Sequence, residues 1–273
     1  MTNIQSKTEH KELKLSGYSI HYFVTGDSTK EAILFLHPAF ADHNSFDKQT
    51  DFFSRDFRMI TIDMLGHGLS KADKAKDKID MTVSHINTIL SLEGYEKAHF
   101  VGVSMGSLIA QYYGLKHPEK VTSMTILGGY DINADNSEIS KAQRLEQFKW
   151  IFKAMISMKR FRRYVANFSV ENPDEKQKFY EMSKNFTRKS FLVMAGLGNV
   201  LKKREGLTIP YPILILSGEK DIELSKKSSK KWHDSILNSN YYLIENAGHC
   251  ANMDYAARFN EVVMNFLKKS IYL

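Results

Sequence analysis

Cysteine is nearly absent from this chain. Cys250 is the only one, so no disulfide can form within it, and a reducing cytoplasm is the expected setting. No apolar run approaches the ~18–20 residues that a membrane-spanning helix needs. The first residues, Met1-Thr2-Asn3-Ile4-Gln5-Ser6-Lys7, lack the apolar stretch of a secretory signal. No transmembrane segment is expected. Neither G-x-x-x-x-G-K-[ST] nor G-x-G-x-x-G occurs, which argues against a phosphate or dinucleotide cradle. His, Cys and carboxylates do not recur at zinc-ligand spacing, and Asp63 with His67 is no better than a chance pair. The sequence therefore predicts neither a cofactor nor a metal. No internal repeat or low-complexity linker is visible, and 273 residues can bury one large core.

Short apolar runs alternate with helical patterns. Residues 13–15 and 18–24 alternate like two strands joined at Gly17. Residues 32–36, 57–62, 98–101 and 121–127 read as buried parallel strands. Helical patterns lie near residues 46–53, 79–92 and 108–116. This order predicts an α/β fold, with a mostly parallel central sheet, helices on both faces and an antiparallel edge.

Three chemical groups fall just past apolar runs. Gly102-Val103-Ser104-Met105-Gly106 follows one such run and opens a helical pattern, which puts Ser104 on a sharp strand-to-helix turn. The run 212–216 ends in Ser217-Gly218-Glu219-Lys220-Asp221. The run 241–244 leads to Glu245-Asn246-Ala247-Gly248-His249. A serine hydroxyl is a poor nucleophile at neutral pH. It needs a base within hydrogen-bond reach, and the base needs a group that fixes its tautomer. Ser104, His249 and Asp221 are the candidates for these roles. Asp131 and Asp135 follow an earlier strand and are the alternative acids. Cys250 lies in no strand-to-helix elbow and reads as a small buried residue. His37 and His67 read as hydrogen-bonded loop residues.

On these motifs the chain resembles the α/β-hydrolase superfamily over nearly its whole length. His37-Pro38-Ala39-Phe40 is similar to the family's H-G-x-G oxyanion loop, with Pro38 and Phe40 standing where glycines are usual. Asp63-Met64-Leu65-Gly66-His67-Gly68-Leu69-Ser70 matches the D-x-x-G-x-G-x-S loop. The resemblance implies a Ser104–His249–Asp221 triad. It also implies an oxyanion hole made by the backbone N–H groups of Ala39 and Met105. Pro38 lacks an N–H, yet the donor needed is one residue later.

Residues 131–205 break the strand–helix alternation. Leu145, Phe148, Phe152 and Met155 recur at three- and four-residue steps, which predicts an amphipathic helix. Further helical patterns are expected over 161–168 and 175–201, interrupted by Pro173. In relatives a helical lid occupies this position. The expected division is a core of residues 1–130 and 206–273 with a lid of residues 131–205. Residues 151–205 hold thirteen Lys or Arg against five Asp or Glu, whereas the whole chain is only +7. The bland reading is a solvated helix face. A basic lid would otherwise steer anionic substrates or meet an acidic membrane surface. No recognisable nucleic-acid motif accompanies the charge, so nucleic acid is not expected as a partner.

The resulting expectation is a cytoplasmic serine hydrolase of the carboxylesterase kind. It would cleave a small ester, thioester or lactone with an apolar acyl part through an acyl-enzyme. Carbon–carbon bond hydrolysis, a lyase step, a cofactor-free perhydrolase reaction and non-catalytic ligand sensing are the other activities this fold allows. Sequence alone leaves the substrate and the oligomeric state open.

Overall fold

Four strands of this protein are buried along their whole length, which requires cover on both faces of the sheet. They are β3 (Ala32–Leu36), β4 (Arg58–Ile62), β5 (Ala98–Val103) and β7 (Ile213–Gly218). The computed structural model describes residues 7–72, 76–135, 137–204 and 208–270. The remaining strands are β1 (Glu9–Leu15), β2 (Tyr18–Thr25), β6 (Val121–Leu127) and β8 (Ser239–Ile244). The sheet runs β1-β2-β4-β3-β5-β6-β7-β8. The β1–β2 and β2–β4 pairs are antiparallel and the rest parallel.

The period-2 alternation of each strand divides its side chains between two cores. Leu34, Leu36, Phe100 and Ile215 meet helices α2 (Thr82–Leu92) and α3 (Met105–Lys116) through Ile86, Ile89, Ile109 and Tyr113. Ile33, Phe35, Val101 and Leu216 pack on the opposite face, with Phe53 of α1 (Asp47–Phe53) and with Phe259 and Val263 of α11 (Ala256–Ser270). Strand order reverses around β3, which lies between β4 and β5. The loops leaving β3 and β5 therefore diverge at their carboxyl ends and leave a crevice, the usual ligand position in such sheets.

Between β6 and β7 the chain forms α4 (Ser137–Ile156), α5 (Met158–Ser169), α6 (Pro173–Met182), α7 (Ser190–Met194) and α8 (Leu197–Val200). Pro173 does not interrupt a helix. It sits in the first turn of α6, where a missing N–H costs nothing, and Asn172 caps that turn by accepting from the Asp174 N–H. The long pattern expected over 175–201 is broken into α6, a 3-10 turn at Ser183–Asn185, α7 and α8. After β7 come α9 (Glu223–Ser235) and, past β8, the short α10 (Ala251–Asp254).

The orientation of α4 differs from the simple expectation. Leu145, Phe148, Phe152 and Met155 are spaced as a core-facing stripe, yet they are 59, 70, 66 and 71% exposed. Ala154 is buried instead, and Trp150 packs into the second core. Both faces of this helix carry apolar side chains, so spacing alone does not identify the inner one.

The loop after β3 explains one departure from the glycine pattern. Phe40 has φ 71°, a left-handed conformation that is strained for a bulky residue. Its ring is held edge-on by Trp150, Phe161 and Phe186, with centroids 5.1, 5.1 and 4.9 Å away. Aromatic packing from the helical insert thus offsets the strain. Phe40→Ala is expected to lower unfolding stability by about 3–5 kcal/mol. Phe40→Gly should cost about 1 kcal/mol less, because glycine tolerates the backbone. Urea denaturation of both variants checks this, and an alanine variant more stable than the glycine one would refute the strain argument.

Candidate active site

Ser104 sits between β5 and α3 with φ 52° and ψ −115°. The turn is possible because a glycine stands two residues to either side of it. A Cβ on Gly106 would lie 2.1 Å from the Leu36 carbonyl oxygen, and one on Gly102 would lie 2.5 Å from the Ser107 Cα. The Ser104 N–H donates to the Leu127 carbonyl at 2.8 Å, which ties the elbow to the end of β6.

The structure brings Ser104, His249 and Asp221 together. Ser104 Oγ lies 2.8 Å from His249 Nε2, and His249 Nδ1 lies 2.9 Å from Asp221 Oδ2. Burial alone would raise the Asp221 carboxyl. The adjacent His249, the Ser225 hydroxyl at 2.9 Å and the Ile222 N–H at 2.8 Å outweigh burial and hold it below its ordinary value. An ionised Asp221 accepts from Nδ1–H, which leaves Nε2 free to accept the Ser104 proton. Burial would also lower the imidazole of His249, but the Asp221 charge prevails and raises it.

The alternative acids are engaged elsewhere. The Asp131 carboxylate accepts the Asn133 N–H in its own turn at 2.8 Å, and burial raises its pKa. Asp135 accepts the Ser137 N–H at the start of α4. Both loop histidines are tied to backbone. His37 Nε2 accepts the Met64 N–H at 3.0 Å, so its Nδ1–H donates to the Pro38 carbonyl. His67 Nδ1 lies 3.3 Å from the Leu65 carbonyl, and burial pushes its pKa down to about 3. Cys250 is fully buried, and burial pushes its thiol up, away from a reactive thiolate. Asp63 pairs not with His67 but with His43, whose Nδ1 lies 2.8 Å from Asp63 Oδ1. Asp42, His43 and Asp63 each place a ligand-type atom within 4.8 Å of the others. Their carboxylates already accept from the His43, Asn44 and Leu69 N–H groups, which makes the cluster a loop brace.

Ala39 and Met105 line the same cavity as Ser104 and His249. Among the described residues no other group engages the N–H of either. The cavity, about 180 Å³, is otherwise mostly apolar, with Leu108, Tyr130, Ile139, Trp150, Phe168 and Met194 in its wall. Of the aromatic residues in the insert, Trp150 and Phe168 line it, while Phe161, Phe179 and Phe186 are core. No Lys or Arg is among the described lining residues. The one carboxylate among the described lining residues is Glu146, held by Lys149 at 2.6 Å and the Tyr164 hydroxyl at 2.9 Å.

Two further residues escaped sequence reasoning. Ser225 braces Asp221 from one turn later in α9, a spacing that could have flagged it. Asp254 accepts the Gly248 N–H at 2.8 Å, the Glu171 N–H at 2.9 Å and the Asn172 N–H at 3.0 Å. It straps the loop bearing His249 to the segment after α5. Its partners lie up to 83 residues away, so no local signal marks it.

Comparison with known proteins agrees with this architecture. Residues 31–256 match the alpha/beta hydrolase fold family. The chain belongs to that family. It is 24% identical to an (E)-2-((N-methylformamido)methylene)succinate hydrolase of Acinetobacter baylyi over 266 residues, 94% of this chain and 98% of that protein. It is 25% identical to the monoacylglycerol lipase ABHD6 of Bos taurus over 254 residues, 87% of this chain and 75% of that one. Among solved structures, an esterase from Exiguobacterium antarcticum superposes with a TM-score of 0.79 at 21% identity, covering 95% of this chain and 100% of the other. These relatives are hydrolases.

The Asp221–His249 pair predicts a titration that needs no substrate. The wild-type His249 imidazole should titrate above the ordinary value of about 6.5. Asp221→Asn removes the charge that favours imidazolium, so burial should then move the pKa down. Asp131→Asn should leave it in place. NMR titration of the histidine ring protons measures all three, and a downward shift in the Asp131 variant alone would reverse the assignment of the acid.

Proposed function

We propose that this protein is a serine hydrolase that cleaves an uncharged ester or lactone with an apolar acyl part. The observation carrying this reading is the Ser104–His249–Asp221 hydrogen-bond relay, which opens into a mostly apolar cavity with no Lys or Arg among its described lining residues. The Ser104 oxygen attacks the carbonyl carbon while His249 Nε2 takes its proton. Asp221 holds the imidazole in the required tautomer and stabilises the imidazolium. Charge on the tetrahedral oxygen falls to the N–H groups of Ala39 and Met105, at the amino end of α3. His249 then returns the proton to the departing oxygen. Water, activated by the same imidazole, releases the acid from Ser104. Residues 1–130 and 206–273 act as the core, with residues 131–205 as a lid over the acyl site. With one buried cysteine and no disulfide to protect, the cytoplasm suits this enzyme.

The lining argues about substrate charge. The relative named for a succinate derivative acts on a dicarboxylate, and a carboxylate buried in an apolar site needs a cationic partner. Here the one carboxylate among the described lining residues, Glu146, is already paired with Lys149 at 2.6 Å, and no described lining residue is a Lys or Arg that could hold an anionic acyl group. The monoacylglycerol lipase relative is named for a neutral substrate with an apolar chain, which this lining suits better. The excess positive charge of residues 151–205 therefore does not identify the substrate.

A pair of length-matched 4-nitrophenyl esters tests the proposal, one a neutral acyl ester and the other a hemisuccinate. The neutral ester should be preferred by roughly tenfold or more in kcat/KM, the scale of burying a carboxylate without a cationic partner. Glu146→Gln should narrow that gap. Ser104→Ala should lower kcat by about 10⁶-fold, as loss of such a nucleophile does in a serine protease. It should also abolish fluorophosphonate labelling. A hemisuccinate preference, or labelling of the alanine variant at full stoichiometry, would overturn the reading.

A further inference from the structure

Of the fifteen large hydrophobic side chains exposed among the described residues, six lie in twelve residues of one helix. Leu145, Phe148, Ile151, Phe152, Met155 and Ile156 project from α4 and are between 44 and 71% exposed. At about 100° per residue, Phe148, Phe152 and Met155 fall on the side of the helix opposite Ala142, Glu146 and Trp150. That second set lines the cavity over Ser104. One helix thus has one side on the candidate active site and the other side bare and apolar. Isolated exposed hydrophobics are ordinary, but a contiguous ridge of this kind marks an interaction surface.

The ridge has a basic margin. Its last residues, Met155 and Ile156, are followed three and four positions after Ile156 by Lys159 and Arg160 on α5. Val165, Ala166 and Ser169 turn α5 inward through Phe161, so Lys159, Arg160 and Arg163 share its exposed side. Lys141 stands exposed near the other end of α4. Among the described residues none of these four cations has a carboxylate partner. Lys149 and Lys153 are occupied instead, by Glu146 at 2.6 Å and by the Tyr164 ring at 4.6 Å. Arg162 is likewise turned inward, donating to the Ser183 and Lys184 carbonyls.

We infer that the outer face of α4, with the exposed cations of α5, docks on the surface of an anionic phospholipid bilayer. Large apolar side chains enter the boundary between headgroups and acyl chains, and the cations beside them meet lipid phosphates. An acidic protein or a second copy of this chain would also cover the ridge. A second copy carries the same unpaired cations and would set like charges against each other. An anionic bilayer complements both the aliphatic–aromatic ridge and its positive margin. Among the described residues no helix is long and apolar enough to cross a membrane, so the contact is peripheral.

Flotation of the full-length protein with vesicles tests this without any assay of catalysis. Vesicles of phosphatidylcholine alone are compared with vesicles in which about a third of the lipid is phosphatidylglycerol. The protein should float with the anionic vesicles, and less so as salt rises from ~0.01 M to ~0.15 M. Combining Phe148→Ser, Phe152→Ser and Met155→Ser should lower partitioning roughly tenfold or more, by removing the apolar anchors. The thermal melt and the kcat/KM on a soluble ester should not change. Combining Lys159→Gln, Arg160→Gln and Arg163→Gln should erase the preference for anionic lipid. Phe152→Trp supplies a second readout, a blue shift of fluorescence on anionic vesicles beyond that of the parent protein. Ser104→Ala should bind vesicles like the wild type, so loss of hydrolysis does not count against the surface. Equal flotation of the serine-substituted and native proteins would overturn the inference. A dimer that Phe148→Ser dissociates, with no vesicle binding, would overturn it by making a second copy the occupant.

Discussion

The left-handed backbone of Ser104 is the constraint on which the site depends. A non-glycine residue held at such angles costs of order 1–3 kcal/mol, so the surroundings must enforce it. They do so through the sheet. β3, β5 and β6 are parallel neighbours, and the elbow is fixed between their ends. Gly106 approaches the Leu36 carbonyl at the end of β3, and the Ser104 N–H donates to Leu127 at the end of β6. A strained turn clamped by three adjacent strands points its hydroxyl in one direction. The other two groups need only be delivered to that point, by loops after β7 and β8.

A second left-handed residue joins the helical insert to this frame. Phe40 follows β3 by four residues, and Trp150, Phe161 and Phe186 surround its ring. These partners come from α4, α5 and the turn before α7. The conformation of the loop bearing Ala39 therefore depends on side chains more than a hundred residues later. Asp254 makes the complementary tie, since it holds the loop bearing His249 to the residues after α5. The insert is thus fastened on both sides of Ser104, once by apolar packing and once by a carboxylate shared among backbone donors.

What could be read from sequence follows from the range of the forces involved. The strand–helix order and the segments bearing Ser104, Asp221 and His249 were legible because each is local: a chemical group just past an apolar run. The positive φ at Phe40 was foreshadowed only as a departure, an aromatic where glycine is usual. Its compensation lies in distant rings. Asp63 beside His67 is close in sequence, yet its partner is His43, from the loop after β3. The inner face of α4 was not legible, because Trp150 and Ala154 on one side and Phe148 and Phe152 on the other satisfy the same helical spacing. Only the position of α4 against α5 and Phe40 decides which side turns inward.

Charge shows the same dependence on direction. Residues 151–205 carry a large positive balance, and net charge taken alone suggests a cavity that gathers anions. The side chains separate the two ideas. Arg162 and Arg188 spend their guanidinium groups on backbone carbonyls, while Lys159, Arg160 and Arg163 point to solvent. From α4 the cavity wall takes Ile139, Ala142, Glu146, Gln147 and Trp150, and the one carboxylate among them, Glu146, is paired with Lys149 at 2.6 Å. Coulomb forces are strong over a few ångströms of poorly solvated space and weak across solvent beyond a Debye length. Cations on the far side of the same insert therefore say little about the field inside the cavity, where no described lining residue is a Lys or Arg. Those outer cations act where they are exposed, on whatever surface comes within ~8 Å of them at physiological salt.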